Sequence, residues 1–371
     1  MTKTAVVLMN LGGPDSLEAV EPFLRNLFGD PAVIALPGVL RRPLARLVAA
    51  RRAPVARDIY ARLGGASPLL ANTEAQAKAL DTALGPGHRS FIAMRYWYPT
   101  TDEAVRAVRA WAPDTILCLP LYPQFSTTTT ASSFAAWRRA AARLGLRVPT
   151  RAVCCYPREE GFVATITALI RPALAAAAQG GPPRLLLTAH GLPQRIAAAG
   201  DPYREQVEMT ANAIVAALAR PDLDWRLCFQ SRVGPLAWLE PLTDEEIRQA
   251  GRDRVPLVVA PISFVSEHSE TLVELDQDYR CLAETCGVPA YHRVATVGAA
   301  PAFIAALARL VRAAVGHEGT AQGIAQGIAQ GIAQGIVQGI VQGIVQGIVP
   351  GEPSRICGPA HARCALAGSG G

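Results

Sequence analysis

Residues 184–193 read Arg-Leu-Leu-Leu-Thr-Ala-His-Gly-Leu-Pro, and residues 257–264 read Leu-Val-Val-Ala-Pro-Ile-Ser-Phe. Each is a short, nearly continuous apolar run, the pattern of a strand covered on both faces. The same pattern recurs along the chain, so strands are predicted at Thr4–Asn10, Ser90–Arg95, Thr115–Leu121, Arg184–Thr188, Trp225–Gln230 and Leu257–Phe264. Longer helical patterns lie between them. Thr100 with Glu103 and Thr243 with Glu246 have capping-box spacing, Thr73 is placed to cap the Ala-rich segment behind it, and Pro301 opens a helix reaching about Val315. This alternation predicts an α/β fold of open, mostly parallel sheets with helices on both faces. In such sheets ligands sit at the carboxyl ends of the strands.

The chain has 371 residues, half of them apolar, so two domains with ordinary cores are expected. A net charge of +6 is modest for that length, and no Lys/Arg run interleaved with aromatics suggests a groove for nucleic acid. A mildly basic face suits an anionic small molecule or an anionic membrane surface, and is equally well read as a merely solvated surface. The opening Met-Thr-Lys runs almost at once into the first strand and leaves no room for a signal peptide. The uncharged stretch Thr115–Trp137 is broken by Pro120, Pro123 and consecutive threonines, which makes it a poor membrane span. A cytoplasmic location, at most peripherally attached to the inner face of a membrane, is therefore expected. Eight cysteines without the paired spacing of a secreted scaffold fit a reducing compartment.

From Ala321 to Ile348, four copies of Ala-Gln-Gly-Ile are followed by three of Val-Gln-Gly-Ile. A strict period of four matches neither 3.6 nor 2, and each glycine in a helix would cost about 1 kcal/mol relative to Ala. Glutamine at every fourth position also argues against a membrane packing face, so the tract reads as a flexible linker. The expected organisation is two domains at residues 1–150 and 151–316, the linker at 317–350 and a Cys-containing tail at 351–371.

Several polar clusters follow strands. Leu11-Gly12-Gly13-Pro14 would let backbone approach a ligand closely, but it lacks the Gly-x-Gly-x-x-Gly pattern of a dinucleotide loop. Tyr60, Arg62, Arg95, Tyr96 and Trp97 suit a flat, carboxylate-bearing ligand, with rings on its faces and guanidinium groups at its acids. Taken singly, such residues are more often ordinary core aromatics and surface arginines. Ser126 to Thr130 supply hydroxyls or simply cap a helix, and the segment Cys228–Trp238 adds Arg232 and Trp238. His190 ends one strand, and Glu267, His268 and Glu270 follow another. One histidine after an apolar strand is usually structural, whereas a second strand end with a histidine and two carboxylates shifts the reading to function. Imidazole and carboxylate suit Fe²⁺ or Zn²⁺ and exchange protons near neutral pH. A hydrolytic zinc site is the natural competitor, but neither His-Glu-x-x-His nor Gly-x-Ser-x-Gly occurs.

In this order the clusters resemble the ferrochelatase family, over roughly Val6 to Val315, most specifically at His190–Pro193, Cys228–Trp238 and Pro261–Asp276. The resemblance implies two similar doubly wound, Rossmann-like domains with a porphyrin cleft between them. It implies insertion of Fe²⁺ into protoporphyrin IX with release of two protons, forming protohaem at the last step of haem biosynthesis. His190 and Glu270 would be the catalytic pair that faces the metal, with His268 and Glu267 supporting them or relaying protons. Leu11, Arg95, Tyr96, Ser231 and Trp238 would line the porphyrin cleft. His190 is assigned the first proton and Glu270 the delivery of iron or the exit of protons, with the reverse division open.

Some members of the family carry a [2Fe-2S] cluster on C-terminal cysteines and one earlier cysteine. Here Cys357 and Cys364, with Cys154 or Cys155, offer three thiolates, which His361 would complete; tail cysteines without a cluster are the preferred reading. The stretch Thr130-Ala131-Ser132 replaces a glycine that the family often shows. Two rivals stand beside the iron enzyme: a chelatase for another metal and tetrapyrrole, and a non-catalytic porphyrin or haem carrier. The carrier would need an axial ligand but no acidic partner for His190.

Overall fold

The computed structural model describes residues 2–316 apart from Pro235. The tetrapeptide repeat and the tail with Cys357, His361 and Cys364 lie outside the described residues. The run Thr4–Asn10 forms β1 and is buried along its whole length, because helices cover both faces of a parallel sheet. Around it β2 (His88–Met94), β3 (Thr115–Pro120) and β4 (Thr150–Ala152) pair in parallel in the order β2-β1-β3-β4. A second parallel sheet repeats this order with β5 (Arg184–His190), β6 (Asp224–Gln230), β7 (Leu257–Pro261) and β8 (Tyr291–Arg293), arranged β6-β5-β7-β8. The expected pair of similar α/β sheets is what the chain builds.

The helices are α1 (Val20–Phe28), α2 (Gly38–Ala61), α3 (Leu69–Leu84), α4 (Thr101–Trp111), α5 (Thr130–Arg143) and α6 (Glu160–Ala177), then α7 (Gln194–Ala198), α8 (Tyr203–Leu218) and α9 (Thr243–Asp253). A π-helix, Glu270–Asp278, runs straight into α10 (Tyr279–Thr285), and α11 (Pro301–Gly316) follows. The capping box of Thr100 and Glu103 forms at α4 and Pro301 opens α11, both as predicted. Two cap assignments are corrected. Leu242 holds the N-cap position of α9, because the buried Thr243 hydroxyl is engaged by Thr188 and Cys228. Thr73 sits inside α3 with its hydroxyl on the Leu69 carbonyl, so it caps nothing. The strand predicted to Phe264 stops at Pro261, which brings no N–H to continue the ladder. Strands β4 and β8 are three residues each, too short for any alternation to reveal them.

One large apolar cluster joins the two sheets, with Leu8 and Leu117 of the first and Leu187 and Val258 of the second meeting Phe162 of α6 and Phe303 of α11. The chain does not divide neatly at residue 150. β4 straddles that point, and Arg151 donates to the Ala314 and Val315 carbonyls, so α11 lies against the first sheet and α3. α6, extended to Gly180, is the one described helix long and apolar enough to cross a membrane, and 44% of that window is buried within the protein.

Candidate active site at the carboxyl edge of the second sheet

β5 and β7 pair from Arg184 beside Leu257 to Thr188 beside Pro261, so they end side by side. His190 is the last residue of β5. Beyond β7 the chain arches through residues 262–269 and enters the π-helix, whose first residue is Glu270. Nδ1 of His190 lies 3.0 Å from Oε2 of Glu270, an ion-pair approach that is not aligned as a hydrogen bond. Nε2 of His268 lies 3.5 Å from the same oxygen. The other nitrogen of His268 is 3.1 Å from the Ser266 carbonyl, which only accepts, so Nδ1 carries the hydrogen and Nε2 is turned to Glu270. Phe264 packs 4.5 Å from the His268 ring and 6.4 Å from that of His190, while Trp238 stands edge-on at 6.5 Å from His190. The His190 and Glu270 side chains keep 39% and 30% of their surface exposed, so the pair opens outward beside an aromatic wall.

The electrostatics follow from these distances. Burial disfavours the charged form of His190, but the Glu270 carboxylate outweighs it and raises the imidazole above its ordinary value. Burial likewise pushes Glu270 upward, and the His190 imidazole 3.0 Å away, followed by His268, overrides it and holds the carboxyl well below the usual range. Glu274, one turn along the π-helix, is raised, first by burial and then by repulsion from Glu270. It accepts from the Ser231 amide at 2.9 Å, from Gln230 Nε2 at 3.1 Å and from the Tyr279 hydroxyl at 3.0 Å. A π-helix is a rare, wide-turned element that occurs frequently at functional sites, and here it supplies both carboxylates.

Local backbone is shaped to this edge. Ser231 follows β6 with φ of 66°, costly for a residue with a side chain, and its amide and hydroxyl both go to Glu274. At Gly191 a Cβ would stand 2.8 Å from the Gln230 carbonyl and 3.0 Å from the Trp238 ring, so only glycine lets the end of β5 rest on both. Glu267, expected to support or relay protons, accepts from Arg293 at 2.6 Å and from the Thr296 amide at 2.9 Å. Arg293 also holds Asp276 of the π-helix, at 2.9 Å through Nε. Glu267 is thereby an anchor for the loop.

The first sheet ends differently. The Leu11 carbonyl accepts from the Tyr96 amide, and Leu11 packs with Trp97 against the cluster of Val20, Phe23 and Tyr60. Arg95 pairs with Asp30 at 2.6 Å and donates to Ser132 at 2.8 Å, and the Tyr96 hydroxyl donates to the same Asp30 at 2.8 Å. Tyr96 is 3% exposed and Asp30 4%. These residues form a second, buried polar centre, and no hydrogen bond joins Arg95 or Tyr96 to His190 among the described residues. Asp30 carries no motif, and only its partners, 65 and 66 positions away, reveal it. Ser132, in the stretch that departs from the family's glycine, contributes its hydroxyl to this centre. The Ser126 and Thr127 hydroxyls are taken up by the buried Asp201. Two residues of the first half do reach the π-helix side: Arg62 bridges to Asp278 at 2.6 Å, and burial pushes the nearby Tyr60 hydroxyl up to about 12 against the pull of Ser269. Cys154 is buried and Cys155 partly so. Among the described residues no group of three His, Cys, Asp or Glu side chains is arranged to hold a metal ion.

A sequence model of the family described as Ferrochelatase matches residues 3–315. The ferrochelatase of Caulobacter vibrioides is 52% identical over 319 residues, covering 85% of this chain and 91% of its own. That of Phenylobacterium zucineum is 52% identical over 324 residues, covering 86% and 93%. Among solved structures, SirB from Bacillus subtilis with Fe³⁺ superposes with a TM-score of 0.51 at 14% identity, covering 86% of this chain and 98% of that one. At that identity the likeness speaks for the fold alone.

Proposed function

The chain belongs to the ferrochelatase family, and on that premise we propose that His190 and Glu270 carry its chemistry. The reaction is insertion of ferrous iron into a porphyrin to form haem, the work of a metal-chelating lyase. A free-base porphyrin holds two inner N–H protons in a rigid plane. Iron enters only when the ring is bent and those protons have somewhere to go, so the protein must grip the periphery and offer a base at the centre. The observation that carries the assignment is the coupled imidazole–carboxylate pair, open beside Trp238 and Phe264 at the end of two adjacent strands.

In this reading Nδ1 of His190 faces Glu270, which leaves Nε2 free as the base. The imidazolium that forms is stabilised by the carboxylate, which is ionised in the resting pair. Glu270 then meets the incoming iron or hands the proton to His268 at Nε2, 3.5 Å away. Iron here is substrate. The macrocycle proposed is protoporphyrin IX, with Leu11, Arg95, Tyr96, Ser231 and Trp238 around it, Arg95 and Tyr96 acting from behind the wall. Anaerobic incubation of the His190→Ala and Glu270→Gln variants with Fe²⁺ and protoporphyrin IX tests the pair. Haem formation at the wild-type rate by either variant removes that residue from the mechanism. A parallel run with coproporphyrin tests the macrocycle.

Two further readings accompany this one. The tail cysteines are taken to carry no iron–sulfur cluster, a reading tested by the visible absorption of freshly purified protein. A cytoplasmic, peripherally attached enzyme is proposed, supported by the exposed Val39, Leu40, Leu47 and Val55 among the arginines of α2. Recovery only in detergent after a high-salt wash contradicts it.

A further inference from the structure

We propose that Gln76, on α3 in the first half of the molecule, is a positioning residue for the loop that carries His268 in the second half. Gln76 is fully buried, and every polar atom of its amide is used on that loop or its neighbour. Nε2 donates to the Val265 carbonyl at 3.0 Å and to the Gly298 carbonyl at 2.9 Å, and Oε1 accepts from the Ser266 hydroxyl at 3.2 Å. One helical turn earlier, Asn72 donates to the Glu267 carbonyl at 2.9 Å. Two side chains on one face of α3 thereby hold three consecutive residues, Val265, Ser266 and Glu267.

The middle residue of the three determines how His268 is presented. The Ser266 carbonyl receives the hydrogen on Nδ1 of His268, and that bond turns Nε2 toward Glu270. The Gly298 amide donates to the Val265 carbonyl as well, at 3.0 Å, so Gln76 completes a three-way junction between α3, the His268 loop and the segment leading to α11. α3 itself is tied to the end of β1 through Thr73 and Asn10. A polar bond chain thus runs from the carboxyl edge of the first sheet to that of the second. Replacing Gln76 by an apolar residue leaves two carbonyls and a hydroxyl buried without it, and the loop is free to shift along its own axis. A displacement on the order of 1 Å is enough to cost up to roughly 100-fold in turnover.

The inference rests on the reading that His268 and Glu270 belong to the site, and the test separates the two. Gln76→Met keeps shape and removes the amide; Asn72→Ala removes a single bond from a partly exposed position and should fold in any case. Gln206→Met, which removes a buried bond to the Phe125 amide elsewhere between the halves, serves as the control for lost stability. Steady-state rates with Fe²⁺ and protoporphyrin IX are measured for each, alone and combined with His268→Ala. The expected result is a roughly 10- to 100-fold fall in kcat for Gln76→Met with KM nearly unchanged. A smaller fall of the same kind is expected for Asn72→Ala, with no fall in kcat for Gln206→Met. On the His268→Ala background, Gln76→Met and Asn72→Ala should add little. If His268→Ala is impaired while Gln76→Met and Asn72→Ala turn over normally, or if their effects multiply with it in full, the positioning role is overturned and the site reading stands. Wild-type turnover by His268→Ala overturns both.

Discussion

The two sheets share one strand order and one direction, yet their carboxyl edges do opposite things. In the first, β1 ends at Asn10, whose amide is satisfied by Thr73 and by the Leu11 N–H, and Arg95 and Tyr96 converge on a buried Asp30. In the second, β5 ends at His190, which faces Glu270 with both side chains still open to a ligand. Topology brought polar residues to both edges. What separates structural from chemical use is whether their hydrogen-bonding capacity is consumed within the protein, a matter of particular side chains and not of fold.

That contrast breaks most sharply at the central strands. His190→Ala should lower turnover by about 10²–10⁴-fold while leaving porphyrin binding largely intact, since general acid–base groups contribute on that scale. Asn10→Ala, at the matching strand end, should cost about 1–3 kcal/mol of stability without that loss of turnover. Assays of haem formation alongside urea melts decide it, and a collapse of turnover in Asn10→Ala would erase the distinction. Asp30→Ala should have its large effect on stability, roughly 3–5 kcal/mol, because it strands the Arg95 guanidinium beside a buried tyrosine hydroxyl. A urea midpoint equal to wild type would show that the centre is not holding the first edge together.

A pH profile sharpens the comparison further. His190 must be neutral to take a proton, and its pKa is raised above 6.5, so the acid limb of kcat/KM should lie above that value. Glu270→Gln removes the charge that raises it, and the limb should move to lower pH. An unmoved limb would detach the imidazole from the carboxylate. For stability the signs are opposed: the His190 contribution is complete below 6.5 and fades as pH rises through its elevated folded value. The Glu270 contribution is complete above 4.5 and fades as pH falls through its depressed folded value. The pair therefore stabilises most fully between those two values. The smallest effect is expected from truncation after Gly316, which should leave the melting temperature and iron insertion nearly unchanged; a large drop in either would give the repeat a structural part.

Much of this was local enough to read in one dimension. Apolar runs announced six strands, and Thr100 with Glu103 announced a cap that forms, because those signals lie within a few residues of each other. Thr243 misled for the opposite reason, since its hydroxyl is claimed by Thr188, 55 positions earlier. The π-helix has no signature in the sequence, and Glu274 belongs to no motif; its place in the site follows from Gln230, Ser231 and Tyr279, which the fold brings onto its carboxylate.

By itself the sequence determined the α/β class, the strand ends at which polar residues gather, and the family, all of which depend on short-range periodicity or contiguous motifs. Only the tertiary structure decided which of those residues meet. It drew Arg95 and Tyr96 inward to Asp30, took Glu267 onto Arg293, and left His190 and Glu270 3.0 Å apart and open. The pairing of groups 26 to 80 residues apart is settled by how sheets and helices pack around a common core, because desolvated polar atoms accept whichever partner that packing supplies.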